Sequence, residues 1–267
     1  MIKGIYIFLA IVITGISLFL YSLYEPYTLT VQHYDIQNDN LTGLKIVFAT
    51  DFHIAPYSFE KRRLRHIINE INKQNPDIVI LGGDYVNGHK QSSSLPAAEI
   101  LNYLRKIKSR YGMFAVLGNH EAYYGKNEVI EAFEKAEITL LENQNLTLSM
   151  DHRKITLAGV KDYSTDLPDI EQALKNAQAP TILISHSPDI FPLVPQVDLV
   201  LAGHTHGGQI VFPFIGALLI PSDYGKKYRY GKIIENGNTI IISKGLGTSL
   251  LPLRFNCKPE IVVIEFK

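Results

Sequence analysis

The chain lacks a disulfide framework, because Cys257 is the single cysteine among its 267 residues. We interpret Cys257 as a structural thiol rather than a reactive one. The chain also lacks an excess of either charge, since 26 Lys and Arg residues balance 26 Asp and Glu residues. This balance argues against nucleic-acid binding, which usually requires a basic surplus. No internal repeat and no Gly/Ser-rich or charge-block linker interrupts the sequence, so we predict one domain over residues 27–267.

The amino-terminal segment is the most apolar part of the chain. Residues 4–23 carry no charge, and about 20 such residues cross a bilayer as a helix. No Ala-x-Ala-like cleavage site follows, and Tyr21 and Tyr24 fall where an interfacial aromatic belt would lie. We therefore predict that residues 1–26 form an uncleaved membrane anchor rather than a cleaved signal.

The orientation of this anchor rests on few charges. Lys3 precedes the apolar run, and the first Lys or Arg after it is Lys45. The positive-inside rule then places the following domain outside the cytoplasm.

Five apolar, strand-like segments each end in residues of metal-ligand type. The segments are 45–50, 78–81, 113–117, 181–184 and 197–202. The runs that follow them are Asp51-Phe52-His53, Gly82-Gly83-Asp84, Gly118-Asn119-His120, Ser185-His186 and Gly203-His204-Thr205-His206. Open α/β sheets build active sites at the carboxyl ends of their strands. The five runs therefore predict a metal centre and an enzyme.

The remaining periodicity predicts an α/β fold with two packed sheets covered by helices. Helices are predicted at 59–74, 95–109, 127–136 and 167–178, and short strands at 139–141, 145–149 and 155–160. Gly237-Asn238 marks a hairpin between 232–235 and 239–243.

The ligand count predicts two metal ions. Asp51 and His53 are two residues apart, so an extended strand would point both side chains the same way. The two oxygens of Asp84 can bridge two ions. The candidate ligands are Asp51, His53, Asp84, Asn119, His186, His204 and His206, more than one zinc-type ion takes. Two ions roughly 3.5–4 Å apart are suited to hydrolysis of phosphate esters. Carboxylates with imidazoles suit manganese, which we expect first, or iron or zinc.

His120 is predicted to have a different role from its neighbours. It follows Asn119 directly, so it should point towards substrate, where a histidine can protonate a leaving oxygen near neutral pH. The four other histidines, His33, His66, His89 and His152, are interpreted as surface or hydrogen-bonded core residues.

Taken together, these runs resemble the motifs of the calcineurin-like metallophosphoesterases across residues 45–209. The resemblance implies a four-layer α/β/β/α sandwich. It also implies one ion held by Asp51, His53, Asp84 and His206, and a second held by Asp84, Asn119, His186 and His204. His120 would be the substrate-facing acid.

Two further features bear on the substrate. Basic residues cluster at 61–65, and an apolar segment at 211–221 precedes a basic, tyrosine-rich segment at 224–230. An apolar loop beside cations could hold an acyl chain and its anionic head group. The alternatives are a solvated basic face and a buried strand pair. The candidate substrate-binding residues are Arg62, Arg63, Lys226, Arg229 and Arg254.

These later segments resemble a membrane-anchored branch of the superfamily. That branch includes bacterial phosphodiesterases and UDP-2,3-diacylglucosamine pyrophosphatases of lipid A synthesis. We therefore expect hydrolysis of a phosphodiester or diphosphate bond in a lipid-linked substrate such as UDP-2,3-diacylglucosamine. That substrate would require a cytoplasmic domain, in conflict with the charge rule. The alternatives are an exported phosphodiesterase acting on cell-envelope material and a membrane-tethered metal-binding protein without turnover.

Overall fold

The structure, a computed structural model, describes residues 2–88, 90–151 and 153–267. Its strands in chain order are β1 Thr30–Ile36, β2 Lys45–Ala49, β3 Ile78–Leu81, β4 Met113–Ala115, β5 Thr139–Leu140, β6 Gln144–Met150, β7 Arg153–Gly159, β8 Thr181–Ile184, β9 Leu199–Ala202, β10 Val211–Phe212, β11 Gly216–Ala217, β12 Gly231–Glu235, β13 Asn238–Ile242 and β14 Glu260–Phe266. Its α-helices are α1 Ile2–Tyr24, α2 Ser58–Lys73, α3 Ala97–Leu104, α4 Asn119–Tyr124, α5 Lys126–Ala136 and α6 Ile170–Leu174.

These strands form two six-stranded sheets and one small hairpin. The first sheet has the order β1-β14-β2-β3-β4-β5, and the second has the order β12-β13-β9-β8-β7-β6. Strands β2 to β5 run parallel in the first sheet, as do β7, β8, β9 and β13 in the second. The hairpin pairs β10 with β11. Parallel strands bring their carboxyl ends to the same edge of each sheet.

Side-chain alternation along the strands builds the layers. In β2, Ile46 and Phe48 pack against the second sheet, whereas Val47 and Ala49 pack against the helices. Helices α2, α3 and α5 cover the outer face of the first sheet. Helix α6 and the 3-10 turn Pro188–Leu193 cover the outer face of the second. The predicted four-layer α/β/β/α sandwich is thereby confirmed.

Two predicted helices and one predicted turn differ from the observed elements. The helix expected at 95–109 ends at Leu104, where the chain turns and buries Ile107. The helix expected at 167–178 is only five residues long and begins after Asp169, whose side chain accepts a hydrogen bond from the Gln172 amide. The hairpin between β12 and β13 turns at Asn236 and Gly237, both with positive φ, rather than at Gly237-Asn238.

Helix α1 is long and apolar enough to cross a membrane, and its most apolar window makes no buried contact with the rest of the chain. Its carboxyl end does contact the domain. Ser22 is buried, and Glu25, in the 3-10 turn that follows, is buried completely. The Glu25 carboxylate accepts hydrogen bonds from the amides of Asn256 (3.0 Å) and Cys257 (2.5 Å).

The space between the two sheets should dominate stability. Ile264 in β14 is wholly buried there, whereas Ile234 in β12 is 68% exposed. We expect Ile264→Ala to lower the free energy of unfolding by about 2–5 kcal/mol, because it leaves a cavity. The matched Ile234→Ala should cost less than about 1 kcal/mol, the span of strand propensities. Urea denaturation of the detergent-solubilised protein measures both, and equal losses would contradict this packing.

Candidate metal centre

The five motif runs converge at one edge of the sandwich. Three of them follow β2, β3 and β4 of the first sheet, and two follow β8 and β9 of the second. Because each sheet is parallel in this region, both deliver the residues after their strands to the same end of the molecule. The side chains of all seven candidate ligands and of His120 meet there.

The backbone that delivers these residues is not extended, contrary to expectation for Asp51 and His53. Strand β2 ends at Ala49, and the two residues have φ values of 56° and 43°. Asp84, His204 and His206 also have positive φ. A positive φ is energetically costly for residues that have a side chain. It persists where the surrounding structure imposes it, often at functional sites. Here the amides of Asp51 and His53 bind the carbonyls of Gly83 and Asp84 at 3.0 Å.

The ligand-type atoms form two adjoining groups. In the first group, His206 Nε2 lies 3.0 Å from His53 Nε2 and 3.4 Å from Asp51 Oδ1. In the second, His186 Nε2 lies 3.1 Å from Asp84 Oδ2 and 3.3 Å from His204 Nδ1. In each group these atoms lie within 4.8 Å of one another, close enough to hold a metal ion, and His53, Asp84 and His120 form a third set at the same spacing between them.

Asp84 joins the two groups. Its Oδ2 atom lies 3.1 Å from His186 Nε2 and 3.5 Å from His53 Nε2. Its Oδ1 atom accepts a hydrogen bond from the His120 amide at 2.9 Å. One carboxylate oxygen therefore faces both groups.

Glycines make this close approach possible. Gly83 has a φ of 97°, and a Cβ atom there would lie 2.6 Å from the amide nitrogen of Gly118. A Cβ atom at Gly118 would in turn overlap Asp84 Oδ1. Side chains at these two positions would push the loops after β3 and β4 apart.

Backbone carbonyls orient two of the imidazole rings. His186 Nδ1 donates to Gly82 O at 2.8 Å, and His120 Nδ1 lies 3.2 Å from Gly88 O. A carbonyl can only accept, so Nδ1 carries a proton in both rings and Nε2 is the ring nitrogen left to face the centre. This is the usual arrangement of histidines that bind metal.

Burial keeps three of the histidines neutral. It lowers the pKa of His53 and of His206 well below the ordinary value, and it lowers the pKa of His204 to about 4. A neutral imidazole has the free lone pair that a metal requires.

The carboxylates give the centre a preference for positive charge. Burial alone would raise the pKa of Asp84, but His186, His120 and His53 hold it well below its ordinary value. Burial raises the pKa of Asp51 to about 6, still below neutrality. Burial alone would lower the pKa of His186, but Asp84 and Asp51 raise it well above its ordinary value. Two buried carboxylates thus favour a cation between them.

Asn119 provides a direct test of whether these residues fit a metal. Its side-chain oxygen is buried and has no hydrogen-bond partner among the residues that the structure describes. Buried polar atoms normally have partners, and an exception calls for an explanation such as a bound ion. Oxygen and imidazole donors at this spacing fit divalent metals of the manganese, iron and zinc type.

Glu121 supports the centre and was missed as a site residue in the sequence. It is fully buried in α4, a short helix that was itself not predicted. Its carboxylate accepts hydrogen bonds from the amides of Asp84, Tyr85, Val86 and Gly118. It therefore holds the loops after β3 and β4 together, a role that its place after the Gly118-Asn119-His120 run did not indicate.

The candidate substrate-binding cations do not meet at the centre. Arg62 is exposed on α2, and Lys226 is exposed and donates to Ile215 O. Arg63 lies beside a neighbouring cavity of about 260 Å³ that includes His53. Its guanidinium is bound to Glu60 and to the carbonyls of Phe52 and Leu246.

Arg254 was wrongly expected to bind substrate. It is fully buried, and its guanidinium donates to the carbonyls of Gly247, Cys257 and Lys244. Its Nη2 atom lies 3.3 Å from His206 Nδ1. Arg254 is therefore a structural residue behind a candidate ligand. Arg229 donates to Gly207 O and lines a separate cavity.

The other histidines agree with their interpretation where they are described. His33 is exposed on β1, and His66 is exposed on α2. The expectations for His89 and His152 lie outside the described residues.

A cavity of about 470 Å³ opens directly onto the centre. Asp84, Asn119, His120, His204 and His206 line one side of it. The cavity also has an apolar wall, which is formed by the side chains of Ile210, Phe212, Leu218, Leu219, Leu250 and Leu251. The apolar segment at 211–221 therefore lies beside the centre rather than in the core.

Solved structures share this fold. The chain aligns with the calcineurin-like phosphoesterase YfkN of Bacillus subtilis at a TM-score of 0.50 and 16% identity, covering 77% of this chain and 82% of that one. It aligns with the NAD nucleotidase of Haemophilus influenzae at a TM-score of 0.51 and 16% identity, covering 77% of this chain and 46% of that one.

Curated relatives are closer in sequence. The metallophosphoesterase YkuE of Bacillus subtilis is 33% identical over 91% of this chain and 87% of its own length. The phosphodiesterase YaeI of Escherichia coli is 32% identical over 85% of this chain and 83% of its own. A zebrafish transmembrane protein with a metallophosphoesterase domain is 29% identical over 86% of this chain, which spans about half (54%) of that protein.

The sequence model of the calcineurin-like phosphoesterase family matches residues 44–208. That range contains all five motif runs and every residue of the two ligand groups. The chain therefore belongs to the calcineurin-like phosphoesterase family, as its motifs predicted, and is a metal-dependent hydrolase of phosphoester bonds.

Proposed function

We propose that this enzyme hydrolyses a phosphodiester or diphosphate bond in a lipid-linked substrate at a membrane surface. The observation that carries this proposal is the cavity that joins the metal centre to an apolar wall. A phosphate placed against His120 and His204 would leave its substituent facing Leu218 and Leu219. An acyl chain gains free energy from burial in such a place, whereas a sugar, whose surface is mostly polar, gains less.

The apolar wall is held in position by Gln209. Its side-chain nitrogen donates to the carbonyls of Ser249 and Leu251 at 3.0 Å, and its oxygen accepts from the Ser249 amide at 2.7 Å. This clamp fixes the loop that carries Leu250 and Leu251 beside the β10–β11 hairpin. Both sides of the wall are thus built into the fold.

For the metals, we propose the two ligand sets that share Asp84. Asp51, His53, Asp84 and His206 would hold one ion, and Asp84, Asn119, His186 and His204 the other. Two divalent ions supply Lewis-acid chemistry, lowering the pKa of a water and offsetting charge on the phosphate. We expect manganese first, with iron or zinc as alternatives.

His120 is proposed as the general acid. Its Nδ1 atom is held by Gly88 O, so its Nε2 atom is the one that can deliver a proton into the cavity. The hydrogen bond from its amide to Asp84 Oδ1 fixes the start of α4 against the centre. The ring can therefore protonate a leaving oxygen without moving the loop.

For location, we propose that α1 is an uncleaved anchor, with residues 27–267 as the catalytic domain. Removal of a signal peptide would take away Ser22 and Glu25, whose contacts are part of the folded domain. The name of the zebrafish relative, a transmembrane protein, agrees with this proposal. The name of the Escherichia coli relative, a phosphodiesterase, supports a diester substrate.

Activity and metal binding should separate at two residues. We expect Asp84→Ala to lose both bound metal and turnover of bis-p-nitrophenyl phosphate with added manganese. His120→Ala should keep its metal but lose about 10²–10⁴-fold in rate on a diester with an alkoxide leaving group. The rate of His120→Ala should fall less on a diester whose leaving group is p-nitrophenolate, because this group leaves without protonation. His33→Ala is the matched control and should retain both properties.

Metal analysis by mass spectrometry and steady-state kinetics measure these outcomes. A fully metallated wild-type protein without turnover would contradict the proposal and favour a binding role. Loss of metal from His120→Ala would make His120 a ligand instead of an acid.

The apolar wall should create a preference for long acyl chains. We expect kcat/KM on alkyl p-nitrophenyl phosphates to rise by up to about fourfold per methylene, as each buried CH₂ contributes about 0.8 kcal/mol. Leu219→Ser should flatten this dependence. Leu193→Ser, an equally exposed leucine at the opposite edge of the sandwich, should leave it steep. If kcat/KM of the wild type did not change with alkyl chain length, lipid selection by this wall would be ruled out.

The substrate that we propose to test first is UDP-2,3-diacylglucosamine. Detergent-solubilised enzyme should release UMP from it, measured by chromatography, and Asp84→Ala should not. Chain-length-dependent diesterase activity without UMP release would exclude this substrate. It would favour another lipid diester, including cell-envelope material reached by an exported enzyme.

A further inference from the structure

Two loops beside the metal cavity expose a group of large apolar side chains. We call this group the apolar rim: Phe214, Ile215, Leu218, Leu219, Leu250 and Leu251, each more than half exposed. Four of them also line the cavity. Soluble proteins rarely leave so many large apolar residues uncovered in one place. The rim therefore indicates a surface that something apolar covers.

The first loop of the rim is bonded to the end of α1. The Arg254 amide donates to Ser22 O at 2.9 Å. The Glu25 carboxylate accepts hydrogen bonds from the amides of Asn256 and Cys257. Leu251 precedes Arg254 by three residues, so their Cα atoms are within roughly 11 Å. The loop is thus fixed next to the point where α1 leaves the domain.

The second loop is bonded to the same short segment. The Val211 amide donates to Phe255 O at 2.8 Å, the Phe255 amide donates to Gln209 O at 3.0 Å, and the rings of Phe212 and Phe255 lie 5.8 Å apart. Phe214 follows Phe212 by two residues, within roughly 8 Å. Residues 254–257 therefore connect the helix end to both halves of the rim.

A cationic cavity adjoins the helix end as well. It has a volume of about 440 Å³, and Arg229, Lys244 and Lys258 line it together with Tyr21 and Glu25. Lys244 is paired with Glu260 at 2.8 Å, and the Glu25 carboxylate accepts hydrogen bonds from the two amides but keeps its negative charge. Arg229 and exposed Lys258 outnumber Glu25, so the cavity keeps a net positive charge, which attracts anionic head groups.

We propose that the metal-centre face docks onto the anionic bilayer in which α1 is anchored. The apolar rim enters the head-group layer, and the cationic cavity contacts lipid phosphates beside α1. A bilayer is the occupant that these contacts favour, because the rim and the cations adjoin the end of a helix long enough to span one. The metal cavity then opens to the lipid layer, so a lipid substrate reaches it without crossing water. This docking rests on the proposed membrane anchor but goes beyond hydrolysis and does not depend on which bond is cleaved.

The test uses the full chain in nanodiscs of phosphatidylcholine and phosphatidylglycerol. Phe214→Cys and Ile215→Cys, which do not line the metal cavity, are labelled with an environment-sensitive fluorophore; buried Cys257 stays unlabelled in the parent chain. We expect a blue shift and strong quenching by lipids that carry a quencher in their acyl chains. Leu193→Cys, 65% exposed just before β9, is the matched control and should show neither effect.

Equal accessibility to water at positions 214, 215 and 193 would overturn the docking. A blue shift that appears in detergent at high protein concentration, without lipid quenching, would also overturn it, because the rim would then meet a second copy of the chain. The readout needs no turnover, so the docking and the proposed function can fail separately.

The cationic cavity has its own test in the same discs. Lys258→Glu should reduce quenching at position 214 in anionic discs and leave it unchanged in phosphatidylcholine alone. Lys175→Glu, an exposed lysine at the end of α6, is the control and should have no effect. Equal quenching in anionic and phosphatidylcholine discs, measured without the Lys258→Glu change, would contradict a contribution of the cations.

Discussion

The rest of the structure depends on the position of Asp84, whose Oδ2 atom lies between His186 of one ligand group and His53 of the other. A buried carboxylate is costly unless it is paired, and here imidazoles, the His120 amide and a proposed pair of cations surround it. The two sheets contribute to this environment from opposite sides. The two sheets therefore meet at the edge where their parallel strands end, and the candidate metal centre lies at that edge.

That environment requires an unusual backbone conformation at the ligand positions. Residues outside the two proposed ligand sets stabilise this conformation. Five of the seven proposed ligands have positive φ, and Gly83 and Gly118 permit an approach that a Cβ atom would block. Glu121 binds four amides around the centre, and Arg254 packs behind His206 with its charge satisfied by carbonyls. These residues turn two flexible loops into a preorganised site. The segment 254–257 also bonds to the end of α1, so the proposed anchor and the centre share one support.

Much of the fold and the centre was predictable because its signals are local. The apolar runs that became β3 and β8 were predicted with their observed bounds, since a fully buried strand is a short, uninterrupted apolar sequence. The two-sheet arrangement followed from the order of such runs. The bounds of α3 and α6 were predicted too long, because tertiary contacts and the Asp169 cap, rather than apolar spacing, end and begin them. Asp51 and His53 were expected on an extended strand, yet β2 ends before them.

The sequence by itself determined the family, the two-sheet architecture, the residues able to hold metal and the presence of an apolar amino-terminal helix. These properties depend on residue type and spacing along the chain. Only the tertiary structure decided that Asp84 faces both groups, that Arg254 is buried while Arg229 lines a separate cavity, and that Glu121 and Gln209 support the site. It also decided that the apolar segment at 211–221 forms a wall of the metal cavity instead of part of the core. The reason is physical: these outcomes depend on contacts between loops far apart in the chain, and no local pattern specifies which distant atoms a side chain will meet.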